Sequence, residues 1–148
     1  MKDTLQLFGQ VTIQVHDKDG NLEQEVIKDN LIVTGGKGLI ADRLISNDTL
    51  VPSYIRIGSS SQTAALADTT LISHQAAAAV TSTVINGDTA QYTALFSPGN
   101  PATAISIEEA GLFNLQTGGV MISRLLTGTI TKTVTSSVTL IWTLKVNG

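Results

Sequence analysis

The sequence predicts an all-β protein, mainly antiparallel, arranged as a two-sheet, jelly-roll-like β-sandwich with one short α-helix near residues 35–46. Three observations predict it. Apolar and polar residues alternate along several short stretches, the period of a strand with one face in a core. Turn-forming runs, Asp17-Lys18-Asp19-Gly20-Asn21 and Asn86-Gly87-Asp88, separate pairs of these stretches. The stretches follow one another closely with a single helical pattern among them, which fits a sandwich better than βαβ units. The 148 residues suit one domain, 1–148, able to bury a core without staples.

Taken in order, Val11, Ile13 and Val15 fall on one face of a first strand, with Thr12, Gln14 and His16 on the other. Gly20 is free to take the positive φ of the turn that follows. A return strand, Leu22 to Ile27, carries Glu23 and Glu25 on its wet face. Thr34 is placed to cap a helix over Gly35 to Ser46, in which Leu39, Ile40, Leu44 and Ile45 form an apolar stripe. Asn47-Asp48 is a plausible stop.

Val51 to Ile57 reads as a buried strand, with Tyr54 and Arg56 opposite Ile55 and Ile57. Residues 58–70 form a long Ser, Thr and Ala loop without periodicity. Strands then follow at Ala76–Ile85, Ala90–Phe96, Ile105–Asn114, Val120–Leu126 and Val134–Val146. The prolines of Ser97-Pro98-Gly99-Asn100-Pro101 exclude central-strand pairing there. The last strand alternates most cleanly: Val138, Leu140, Trp142, Leu144 and Val146 share one face. Leu140, Trp142 and Leu144 are therefore assigned to the core, and the strand to the middle of its sheet.

The absence of cysteine excludes disulfides and thiolate metal sites. A net charge of −3, with the basic residues scattered, argues against nucleic acid as a partner. No signal-peptide or membrane-spanning stretch is read, so a soluble protein made in the bacterial cytoplasm is expected. Charged residues are only 14% of the chain, where about a quarter is usual. Either Thr replaces Lys and Glu on the outward faces of the strands, or partners cover much of the surface.

Catalytic constellations are sparse. His16 and His74 sit apart in the sequence, on a polar strand face and at a loop-strand junction. No Gly-x-Ser-x-Gly nucleophile elbow is present. Residues 17–21 lack the spacing and the bidentate Glu of an EF-hand and read as a plain turn. Gly35-Gly36-Lys37-Gly38 lacks the phosphate-loop spacing and reads as close packing of a helix on the sheet. Glu108 and Glu109 would point to opposite faces of a strand, so they cannot flank one bond. One must turn inward, which implies a bulge or a hydrogen-bonded buried carboxylate. Glu109, with Gly111 and Phe113 beyond it, is assigned to a structural corner held through backbone N–H groups. No catalytic residue, cofactor or metal is expected. A sugar platform is a competing use for Tyr54 and Tyr92.

Three blocks carry a family resemblance. The first is Asn-Leu-Ile-Val-Thr-Gly-Gly-Lys-Gly-Leu-Ile-Ala-Asp-Arg-Leu, residues 30–44. The second is Tyr54-Ile55-Arg56-Ile57-Gly58-Ser59-Ser60 followed by Asp68-Thr69-Thr70-Leu71. The third runs from Ile107-Glu108-Glu109-Ala110-Gly111-Leu112-Phe113-Asn114 through Gly118 to Arg124 and Lys132, and ends at Leu140-Ile141-Trp142-Thr143-Leu144. In this order the chain resembles the β-sandwich proteins of bacteriophage particles: capsid decoration (cement) proteins and tail-fibre or baseplate-associated modules. The resemblance implies a non-enzymatic virion protein that acts as a homo-oligomer, in the first place a homotrimer. A chain without shaft or repeats suits a cement protein bound to the major capsid protein on the head. A tail-fibre or baseplate adaptor touching host glycans is the alternative.

Overall fold

The structure, a computed structural model, describes residues 5–46 and 51–147. Its elements are β1 (Gln6–His16), β2 (Leu22–Asp29), β3 (Leu31–Ile32), α1 (Thr34–Asp42), β4 (Tyr54–Gly58), β5 (His74–Asn86), β6 (Thr89–Phe96), β7 (Ile105–Phe113), β8 (Met121–Lys132) and β9 (Ser137–Asn147). The protein is all-β with one short helix, and every strand pair is antiparallel. The strands form one hydrogen-bonded order, β2-β1-β9-β6-β5-β4-β7-β8-β3.

β5 joins the two halves of this order. Residues 74–79 pair with β4, and residues 80–86 pair with β6 after a register shift at Val80. A bulge of this kind bends the strand and lets it turn a corner between layers. Side chains from both halves meet in one core: Val11, Ile13 and Val15 of β1, Phe96 of β6, Ile55 and Ile57 of β4, Leu112 of β7, and Val138, Leu140 and Trp142 of β9. β9 lies between β1 and β6, and Trp142 is 0% exposed. Leu144 is half-buried against the same core, and Val146 is exposed where the core runs out.

The two ends of the sheet order meet at one residue. Among the described residues β2 pairs only with β1 and β3 only with β8, and Asn30 is the single residue between them. Its backbone N–H donates to Gly9 O at 3.0 Å. Its amide, oriented with the oxygen toward Trp142, accepts from Trp142 Nε1 and from Ser123 Oγ and donates to Gly9 O. The buried indole N–H is thus satisfied by the residue that nearly closes the sheet, which an unpaired N–H would oppose.

Element bounds differ from the sequence-based expectation for physical reasons. α1 ends at Asp42, and Val33 stands at its N-cap with no side-chain cap, so Thr34 is the first helical residue. Leu39 reaches the core, but Leu44 and Ile45 lie beyond the helix and are 83% and 90% exposed. The expected stripe is therefore cut after its first turn, and the expected stop at Asn47-Asp48 lies outside the described residues. β3 is a ninth strand too short to show a period. β8 runs six residues past Leu126 by passing through a bulge. Gly36 packs directly on β8, where a Cβ would stand 2.1 Å from Ile122 O, so it serves the close approach expected of the glycines, while Gly38 faces open space.

Candidate functional site

The outer face of the β4, β7 and β8 half carries a second, smaller layer. Val33, Leu71, Phe113 and Met121 form an apolar cluster under the segment 59–73, with Tyr54 against its edge. This explains why β4 is covered on both sides. Ile55 and Ile57 face the main core, while Tyr54 and Arg56 face the segment. The Arg56 guanidinium stacks 3.6 Å from the Phe113 ring centroid. Its Nη2 donates to Leu115 O and Gly118 O, both at 2.6 Å, and so fastens the turn between β7 and β8.

Beside this cluster lies a buried ion network. Ile107 pairs with Ile130 and Glu109 with Leu126, so Thr127, Gly128 and Thr129 all stand opposite Glu108. The bulge, with Gly128 at φ 67°, separates the two glutamates. Glu108 stays at the surface and accepts from Ser106 Oγ and Thr129 Oγ1. Glu109 turns beneath the segment and is 0% exposed. Its Oε1 accepts from the Ser73 N–H at 2.7 Å and its Oε2 from the Ile72 N–H at 3.1 Å.

Arg124 completes the network. Its Nε and Nη2 lie 2.9 and 2.8 Å from Glu109 Oε2. Its Nη1 reaches Asp68 Oδ2 at 3.1 Å, and Nη2 also donates to Gln62 O at 2.8 Å. Asp68 in turn accepts from the Ala65 N–H. One buried guanidinium therefore ties three points of the segment, Gln62, Asp68 and, through Glu109, residues 72 and 73, to the sheet. Two glycines make the space. A Cβ at Gly58 would stand 2.5 Å from Glu109 Oε1, and one at Gly111 would stand 2.7 Å from Phe113 Cε2.

A fourth buried charge sits near the Ser97 loop. Lys132 Nζ donates to the carbonyls of Ser97, Thr133 and Ser136. Burial pushes its amine below the usual lysine range. His74 opens β5 at the surface; partial desolvation and the Arg56 charge lower its imidazole, opposed by Glu109. His16 lies on β1, at the turn end of the β1–β2 hairpin. Asp17 accepts from the N–H groups of Asp19 and Asn21, so its carboxylate is spent on the turn itself. Those backbone donors hold it below the usual carboxylate value. Among the described residues no cluster of three His, Cys, Asp or Glu side chains has metal-binding geometry.

This arrangement fastens the segment to the sheet. Both oxygens of Glu109 are occupied by fixed donors and closed to solvent, so neither is placed to take a substrate proton. The structure puts Glu109, Gly111 and Phe113 together on the outer face, and Leu140 and Trp142 in the main core with Leu144 at its margin. Tyr54 and Tyr92 are each half-buried, Tyr54 against the smaller cluster and Tyr92 against the main core. Sequence reasoning did not single out Asn30, Arg56, Asp68 or Arg124 individually. An uncharged context around an arginine was the available signal, since a buried guanidinium needs an acid and carbonyls converging on it. Comparison of the chain with models of protein families, with curated proteins and with solved structures finds no match in any of the three.

Proposed function

We propose that the protein is a structural component of a bacteriophage particle, foremost a decoration protein that binds the major capsid protein and stabilises the head. The observation that carries the reading joins sequence to fold. The three blocks that resemble virion β-proteins supply the residues of the internal frame: Asn30 and Gly36 from the first, Arg56, Gly58 and Asp68 from the second, and Glu109, Gly111, Phe113, Arg124, Lys132 and Trp142 from the third. The likeness therefore rests on frame-building residues, and the buried charges Arg56, Glu109, Arg124 and Lys132 are held within that frame. A protein of this kind acts through its surface, as a homo-oligomer, with neither nucleic acid nor membrane as partner. Among the described residues no helix is long and apolar enough to cross a membrane.

Particles assembled without the protein test the proposal. They are expected to release DNA on heating at a lower temperature than complete particles, with purified protein restoring the difference when added back. Particles of unchanged heat stability would overturn the cement role. They would favour the tail-fibre or baseplate reading, for which glycan binding by the isolated chain is the matching assay.

A further inference from the structure

The end of the fold away from the Glu109 network is apolar, and among the described residues nothing covers it. There β1 and β6 begin and β5 and β9 end, and Ile40 of α1 lies across the opening. Three hollows of about 300, 310 and 190 Å³ all share Tyr92 as a wall, which makes the surface around it continuous. Leu44, Val51, Val84, Ile85, Leu144 and Val146 line it. Ile85 is 83% exposed, as is Leu44. A continuous exposed apolar surface of this kind on a folded chain marks a site of contact with protein.

The strand edge at this end is unguarded. From Thr81 to Asn86, β5 pairs with β6 on one side, and among the described residues no strand pairs with the other. The run Thr-Ser-Thr-Val-Ile-Asn has no charge and no proline. β2, at the end of the strand order, carries Glu23, Glu25, Lys28 and Asp29 instead. Charges are the usual guard of an exposed edge, so their absence on β5 marks an edge that meets protein.

The rim of the apolar end says which protein. Asp88 and Lys145 flank the hollow beside Ile85 and Val146, and among the described residues neither is in an ion pair. One surface thus presents both signs around an apolar centre, the pattern of a patch that complements itself. We infer that copies of this chain pack against one another through this end. The apolar faces turn inward, the Thr81–Asn86 edge is covered, and Asp88 of one copy is set against Lys145 of the next. That copies associate rests on the reading proposed above, and the inference adds the surface through which they do so. A chain that associates here but leaves particle stability unchanged would refute that reading alone.

Sedimentation of the purified full chain tests it. The wild-type protein is expected to be a homo-oligomer. Ile85→Asp is expected to give a monomer with an unchanged circular-dichroism spectrum and melting temperature, since the side chain touches little within its own copy. Asp88→Lys and Lys145→Asp should each weaken association about tenfold or more, and the double exchange should restore it. A wild-type chain that stays monomeric up to roughly 100 µM, where a contact of about 1 µM Kd is saturated, would overturn the inference. So would an Ile85→Asp oligomer of wild-type mass, or a double exchange no tighter than the single ones.

Discussion

Replacing Trp142 with alanine is expected to destabilise the protein by about 3–5 kcal/mol, the range for deleting a large buried aromatic. The ring is fully enclosed between Val11 of β1 and Tyr92 of β6 on a strand with neighbours on both sides. Removal leaves a cavity that a sheet bonded along both edges cannot collapse to fill. It also removes the N–H that Asn30 accepts where β2 passes into β3. Against a total of roughly 5–15 kcal/mol for a domain, this brings the chain close to unfolding at growth temperature. Denaturant titration with circular dichroism measures the loss. Trp142→Phe separates the two contributions: it keeps most of the packing and removes one of the two donors to the Asn30 oxygen, at about 1 kcal/mol. A fully stable Trp142→Ala protein would remove Trp142 from the core.

A comparable loss, about 3–5 kcal/mol, is expected for Glu109→Ala, because it leaves the guanidinium of Arg124 buried with its principal counter-charge gone. Two backbone donors, Ile72 N–H and Ser73 N–H, lose their acceptor as well. The damage should concentrate in the segment 59–73, which the network fastens. Limited proteolysis of the variant is expected to cut there before the strands are attacked. Combining Glu109→Met with Arg124→Met should recover part of the stability, since it removes the stranded guanidinium, while the Ile72 and Ser73 N–H groups stay without an acceptor. Glu109→Ala without effect on either readout would mean that the network does not hold the segment.

The strands were legible where one face is wet. Val11, Ile13 and Val15, and later Val138, Leu140 and Trp142, alternate because the opposite positions face away from the core. The inward turn of one glutamate was also legible, from the period alone: two adjacent carboxylates on a strand cannot both face water without a bulge. The buried frame was harder to read. β4 is covered on both sides, so Arg56 alternates with isoleucines yet faces protein, and nothing local tells this from an exposed arginine. Arg124 meets Asp68 across 56 residues and Glu109 across 15, distances over which sequence pattern carries no signal. β3 is two residues long, and the closure it makes depends on Asn30 reaching Trp142 from the far end of the chain. The helix was read too long because Leu44 and Ile45 extend the apolar period past Asp42, while the fold uses them at an open surface.

The proposed role is tested most directly by finding the protein on the particle. Imaging of virions that carry a labelled copy is expected to show label over the head, at regular positions on the capsid lattice. Label confined to the tail would contradict the decoration role, and particles free of label would contradict a structural place in the virion altogether.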